Sequence, residues 1–322
     1  MLKTLVRALV ALPLAACAVV DVPADFPEMP VPADNPLTQA KVDLGRALFF
    51  DTRLSRTEEV ACASCHRQDA AFADPRPVSA GVEGRTGDRN APPLFNLAWN
   101  TAFMWDGGVP TLEQQAIGPI TNPLEMDMTM NEVVTRLSDD PAMIRRFRHA
   151  FGEDPTADGV TKALASYERT LVSGESRYDA AERGEETLTP EEEEGRDIFF
   201  GERGECFHCH TGFNLTNNGI LNNGMDTGDE GYARVTEDEA DAGKFKVPSL
   251  RNVALTAPYM HDGSVDSLEA VVEHYAAGGQ GHPNTDPTIH PLDLDDAEKR
   301  ALVAFLRTFT DLDFVTDPTL AP

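Results

Sequence analysis

The chain has 322 residues, 41% of them hydrophobic, and a formal net charge of −27. That is enough chain for two domains with separate cores and too much apolar content for a disordered protein. Nothing offers a basic face to phosphates, so the composition argues against nucleic acid as a partner; an acidic surface suits a basic protein partner and also serves solubility.

Residues 1–17, "MLKTLVRALVALPLAAC", carry Lys3 and Arg7 and then an apolar run, the pattern of a secretory signal. The closing "LAAC" resembles a bacterial lipobox, which implies cleavage before Cys17 and a lipid tether to the membrane through it. Residues 18–36 are rich in proline and acid and predict an extended, semi-rigid tether. No later stretch is apolar for long enough to span a bilayer. "TQAKVDLGRALFF" predicts a helix with Thr38 as its N-cap, followed by "CASCH". A long segment, "PPLFNLAWNTAFMWDGGVPTLEQQA", comes next, and "ADGVTKALASYERTLVSG" predicts a closing helix.

The same order then recurs. "TPEEEEGRDIFF" predicts a helix with Thr189 as N-cap, Pro190 in the first turn and glutamates at the positive end of the dipole. "CFHCH" follows, then "VPSLRNVALTAPYMHDGSVDSLEAV", then "LDDAEKRALVAFLRTFT" with apolar residues at helical spacing. The two long segments align without a gap at an offset of 156, pairing Asn96 with Asn252, Asp106 with Asp262 and Leu112 with Leu268. His66 to Trp105 spans 39 positions and His210 to His261 spans 51, so the second copy has 12 extra residues. The Asn/Gly/Asp-rich stretch 214–232 is expected to hold them as loop.

Apart from Cys17, the cysteines are Cys62, Cys65, Cys206 and Cys209, each pair followed by a histidine, His66 and His210. Cys-x-x-Cys-His is the attachment motif of c-type haem: two thiols meet the two vinyl groups, and the histidine faces the iron. The alternatives are a four-cysteine zinc site, which would need the distant pairs to meet, and a thioredoxin-like motif, which would need a βαβ context. The haem reading predicts a mainly α chain of two tandem cytochrome c-like haem domains related by internal duplication, 37–180 and 181–315.

With both motifs, "FMWDGG…LEQQAIGPITNPLEM" and "FKVPSLRNVALTAPYMHDGS", the chain resembles the bacterial dihaem cytochrome c peroxidase family, which includes the protein-oxidising enzyme MauG. The resemblance implies two covalent c-type haems, an oxidoreductase that takes peroxide as acceptor, a periplasmic location and often a homodimer. It implies Glu125 as the acid/base and Gln115 as the orienting group of a peroxide pocket over the first haem, with Trp105 relaying electrons between the haems. It implies Tyr275 as distal ligand of the second haem, with His274 and Met260 as rivals, and one Ca2+ held by Asn90 and the carbonyls of Thr256 and Pro258. Pro119 stands where the first copy matches Tyr275, and proline cannot ligate iron. The loop after the first motif, 67–90, contains no histidine either, so the first haem is expected to be open at rest.

Two functions follow from the resemblance. One is reduction of hydrogen peroxide with electrons from a small cytochrome c or copper protein. The other is a MauG-like oxidation of residues on a protein substrate, to which Tyr275 and the missing loop histidine lean. An electron-transfer cytochrome without peroxide chemistry is disfavoured by the open first iron and the Gln115/Glu125 pair.

Overall fold

The computed structural model describes residues 19–322, so the signal sequence and Cys17 lie outside the described residues. The chain is helix-rich with little sheet. Before residue 183 come α1 (Gln39–Phe49), α2 (Cys62–Cys65), α3 (Leu112–Gln115), α4 (Ile117–Thr121), α5 (Met130–Ser138), α6 (Pro141–Phe151), α7 (Ala157–Glu168) and α8 (Arg177–Glu182). After it come α9 (Pro190–Phe199), α10 (Ala233–Thr236), α11 (Leu268–Ala276), α12 (Asp296–Arg307) and α13 (Leu312–Thr316). No helix among the described residues is long and apolar enough to cross a membrane. The expected caps are in place. Thr38 accepts from the Lys41 amide, and Thr189 forms a capping box with Glu192 ahead of Pro190.

Two apolar cores form, one around Leu48, Phe49, Phe72, Phe147 and Leu164, the other around Ile198, Phe199, Leu302, Phe305 and Phe309. In each, the helix that precedes a Cys-x-x-Cys-His motif lies across the helix that closes that half: α1 on α7 and α9 on α12. The repeated Gly-Arg explains why. A Cβ on Gly45 would stand 1.9 Å from the Ala163 carbonyl oxygen, and one on Gly195 would stand 2.0 Å from that of Ala301. The helix backbones touch at these points, and only glycine permits it. One turn on, Phe49 packs against Tyr167 with ring centroids 5.2 Å apart, as Phe199 does against Phe305 at 5.5 Å.

The aligned segments also follow the same backbone path. Asn96 and Asn252 (φ 53° and 55°), Met104 and Met260 (φ 65° and 72°), and Gly107 and Gly263 (φ 67° and 66°) are left-handed in both copies. Phe103 pairs with Val109 and Tyr259 with Val265. The copies then diverge. The second runs into the continuous helix α11, whereas the first is split into α3 and α4 at Ala116. Pro119 is the cause, since it has no N–H to return to the Gln115 carbonyl.

Three features depart from what local sequence suggests. The arm before α1 is extended, as its prolines require, but it is packed against the body. Phe26 packs edge-on against both Trp99 and Phe213, with centroids at 5.7 and 4.6 Å, beneath the Arg251 guanidinium at 4.9 Å. Arg251 is itself buried in a two-toothed pair with Asp179, both contacts at 2.8 Å. At the other end, Phe314 of α13 packs into the first core, and the Gln68 side chain donates to the carbonyls of Phe314 and Asp317. The stretch expected as loop contains β1 (Ile220–Leu221), which pairs antiparallel with β2 (Phe245–Lys246).

Gly45→Ala and Gly195→Ala each push a methyl into a backbone carbonyl that no rotamer can avoid. We expect each to lower stability by about 3 kcal/mol, the upper end of overpacking costs. Chemical denaturation measures this, and an unchanged midpoint in either variant would remove backbone contact as the reason for the Gly-Arg repeat.

Candidate haem sites

Helix α2 sets Cys62 and Cys65 one turn apart and hands on to His66, whose amide bonds the Cys62 carbonyl at 3.0 Å. The His66 Nδ1–H donates to the Phe72 carbonyl at 2.9 Å. The second motif is a tighter turn, Cys206–His208, and His210 Nδ1–H donates to the Leu215 carbonyl at 3.1 Å. In both, the backbone fixes the tautomer and leaves the Nε2 lone pair free for a metal. Burial pushes both imidazoles down, His210 to about 4, so both are neutral near pH 7. Each is ringed by protein yet keeps part of its surface accessible, as expected of a group lining an interior cleft.

The zinc alternative fails. No group of three or more His, Cys, Asp and Glu side chains among the described residues could hold a metal ion, so the cysteine pairs do not meet. Two thiols and one oriented imidazole at each place fit a c-type haem. A further observation agrees. The Lys246 ammonium on β2 makes no ion pair among the described residues, and burial alone pulls it down to about 8. An enclosed cation calls for an anion, and haem propionates are carboxylates.

On the first side, Glu125 lies close enough to Cys62 and Cys65 to act on both thiols electrostatically. Its segment folds back over α4, with the Met126 amide on the Pro119 carbonyl at 3.1 Å. Gly81 fits against it only because it has no Cβ, which would meet the Leu124 oxygen at 2.1 Å. Burial pushes the Glu125 carboxyl up, opposed by the Asn122 amide that donates to Oε1 at 2.7 Å. Gln115 ends α3, and its amide nitrogen lies 3.9 Å from the Met104 sulfur.

On the second side, Tyr275 is on α11 facing Cys206 and Cys209, which act on its phenol. Burial pushes that phenol up to about 12, opposed by the neighbouring Asn223 amide. Both rival ligands are engaged elsewhere. His274 Nε2–H donates to the Asn223 carbonyl at 2.9 Å, and the Met260 sulfur accepts from the Asn223 amide at 3.3 Å.

Trp105, half-buried, is hydrogen-bonded to both halves. Its Nε1–H donates to the Asn90 carbonyl at 2.8 Å, and its own carbonyl accepts from the Lys246 amide at 2.8 Å. The Asn90 amide donates to the carbonyl of His261, the counterpart of Trp105, at 2.7 Å. Asn90 thus joins the two copies and meets the loop that carries Thr256 and Pro258. Its side chain is turned to the carbonyls of Arg76 and Pro77, and the Thr256 hydroxyl to that of Val253. His261 stacks on Phe245 at 3.8 Å and 15°. Arg89 bridges Asp106 and Asp229 at 2.6 and 2.7 Å, so the extra residues of the second copy are tied to the first. Burial pushes the Asp229 carboxyl up, and the Arg89 hydrogen bonds overcome it, holding it at about 2.

The chain is similar to known proteins over most of its length. A profile of the di-haem cytochrome c peroxidase family matches residues 39–187. The chain is 43% identical over 286 residues to the methylamine utilization protein MauG of Methylorubrum extorquens, covering 87% of this chain and 81% of that protein. The chain belongs to the di-haem cytochrome c peroxidase family. It is 36% identical over 295 residues to the cytochrome c551 peroxidase of Nitrosomonas europaea, covering 89% of this chain and 85% of that one. A crystal structure of a MauG-like protein associated with microbial copper homeostasis superposes with a TM-score of 0.89 at 36% identity, covering 94% of this chain and 98% of that chain. The protein is an oxidoreductase of the peroxide-reducing type, and its family implies two c-type haems.

Sequence reasoning missed four side chains of the site: Asn122, Asn223, Lys246 and Glu168. Asn122 stands three residues before Glu125 in "TNPLE", a readable signal. Asn223 lies in the stretch absent from the first copy, and Lys246 in the quoted "FKVPSLRN". Glu168, on α7, is only 5% exposed and its Oε2 has no hydrogen-bond partner among the described residues. The Tyr167/Phe305 match makes Leu306 its counterpart, so this buried carboxyl belongs to the first half alone.

Burial pushes Glu168 from 4.5 to about 8, so the folded protein keeps a proton that the unfolded chain releases. Stability is therefore full below about pH 4.5 and falls as pH rises to about 8. Glu168→Gln should flatten that part of the stability–pH curve and be the more stable protein above it. A curve superimposable on that of the parent would mean that the carboxyl is already ionised in the fold.

Proposed function

We propose that this protein is a periplasmic peroxidase in which peroxide is reduced at the first haem and electrons enter through the second from a small cytochrome c or copper protein. The two haem domains, 37–180 and 181–315, are read as products of an internal duplication. The single observation that carries the reading is Glu125, a half-buried carboxyl within electrostatic reach of Cys62 and Cys65 and oriented by Asn122. A haem on Cys62, Cys65 and His66 supplies the redox iron. Cleaving the O–O bond unevenly also requires a proton to pass from one oxygen to the other. Glu125, pushed up by burial, holds a proton more readily than an exposed glutamate, and the Asn122 amide fixes which oxygen accepts. The Gln115 amide orients the peroxide. Pro119, in the position of Tyr275, gives the first iron no ligand, which leaves room for substrate. Trp105, hydrogen-bonded to one copy and paired through its carbonyl to β2, relays electrons. The oxygen donors of Asn90, Thr256 and Pro258 suit one Ca2+.

Glu125→Gln should retain both haems and lose about 10²–10⁴-fold in peroxide turnover, the usual worth of a positioned acid/base. Turnover near that of the parent, with full haem content, would remove Glu125 from the mechanism.

A second reading is favoured by Tyr275. A phenolate opposite iron stabilises the oxidised metal more than a thioether does, which lowers the potential of the second haem. A site built that way suits long-range oxidation of a residue on a partner protein, as in the MauG-like members. Adding peroxide to the oxidised protein and then reduced cytochrome c separates the two. Fast, repeated oxidation of the cytochrome is expected for the peroxidase, whereas a long-lived oxidised state with slow cytochrome turnover would replace it with the second reading.

A further inference from the structure

Asn223 lies in the 214–232 stretch that gives the second copy its extra length. Both of its carbonyl oxygens and its side-chain amide are used. The backbone carbonyl accepts from His274 Nε2–H at 2.9 Å, the side-chain amide donates to the Met260 sulfur at 3.3 Å, and Oδ1 accepts from the Met225 amide at 3.2 Å. The same side chain lies beside the Tyr275 hydroxyl. Its place is fixed from both sides. Asn222 Oδ1 accepts from the Gly224 amide at 2.7 Å, and the Gly224 carbonyl accepts from the Gln280 amide at 2.8 Å. Gly224 (φ 84°) approaches Gly279, just past α11, so closely that a Cβ would stand 2.9 Å from the Gly279 Cα. The loop is thus locked to the end of the helix that carries His274 and Tyr275.

We propose that Asn223 is the positioning residue that selects the axial ligand of the second haem: it holds His274 and Met260 aside and leaves Tyr275 to the iron. Three side chains with affinity for iron stand on one short element, and a single residue of the added loop engages two of them. A sulfur that accepts an amide hydrogen has one of its two lone pairs engaged, and the contact at 3.3 Å holds the Met260 side chain toward Asn223. An imidazole Nε2 that donates to a carbonyl has its lone pair on the other nitrogen. The first copy lacks this loop, and its Met104 sulfur faces the Gln115 amide instead. The proposal rests on the reading of Tyr275 as the ligand, and the test separates the two.

The experiment records visible, near-infrared and electron paramagnetic resonance spectra of the resting ferric holoprotein, with haem content and thermal midpoint alongside. Tyr275→Phe tests the reading, and it should abolish the phenolate signal of the parent. Asn223→Leu deletes the amide. Asn223→Asp replaces the amide that meets Met260 and lies beside Tyr275 with a carboxyl group and keeps the acceptor for the Met225 amide, so it separates selection of the ligand from the shape of the loop. In both Asn223 variants we expect a second ligation species with the charge-transfer band of thioether-ligated ferric haem, lost again when Met260→Leu is added. A parent with a phenolate signal, and both Asn223 variants with that signal unchanged, would overturn the role of Asn223 and leave the Tyr275 reading standing. A parent whose spectrum does not respond to Tyr275→Phe would overturn both.

Discussion

Four buried side chains, Asn96, Ser173, Asn252 and Asp311, form the joint on which both distal elements hang. Asn96 exchanges hydrogen bonds with the Ser173 backbone at 2.8 and 2.9 Å. Asn252 donates to the Ser173 hydroxyl at 2.9 Å and accepts from the Asp311 amide at 2.8 Å. The Ser173 hydroxyl donates to Asp311 Oδ2 at 2.9 Å, and that oxygen also accepts the amides of Gly174 and Glu175. A buried polar group left without a partner costs far more than one satisfied, so the network holds as a unit. Both asparagines also adopt the left-handed conformation that starts the turn toward Met104 and Met260. One joint therefore aims two equivalent elements at two equivalent haem motifs.

Within that shared frame several positions near the motifs differ between the copies. Pro119 breaks the helix where Tyr275 continues it. Trp105 stands opposite His261. Glu168 places a carboxyl beside the first motif where Leu306 places an alkyl chain. None of these changes disturbs the close crossings at Gly45 and Gly195, which are set by backbone contact. The fold thus holds the two crossings alike while the side chains around the two motifs differ.

The chain termini and the added loop act as ties between the halves. Phe26 of the arm packs edge-on against Trp99 and Phe213 and covers the buried Arg251–Asp179 pair. Residues after α12 return to the first core through Phe314. The loop beyond the second motif reaches Arg89 through Asp229 and the α11 side chains through Asn223. Geometry between two redox centres must be rigid if electron passage is to be reproducible. Ties from three separate segments restrict motion about the single covalent link between the halves.

The sequence by itself determined whatever depends on neighbours in the chain. Haem attachment needs two thiols and an imidazole within five consecutive residues, so the motif is legible as written. Helix starts are legible because Thr38, Thr189 and Pro190 act on amides within one turn. The repeat is legible because its glycines, asparagines and Met-x-Asp-Gly turns impose the same backbone twice. The tertiary structure alone decided the rest, because it depends on side chains brought together across long separations. That Phe26 docks, that Phe314 returns and that the half-buried Lys246 makes no ion pair among the described residues are facts about packing between distant segments, and no local pattern encodes them. Tyr275 could be singled out through the family resemblance, and the alignment then set Pro119 opposite it. Only the fold placed Asn223 on both of its rivals, by closing a loop of one segment over a helix about 50 residues further along the chain.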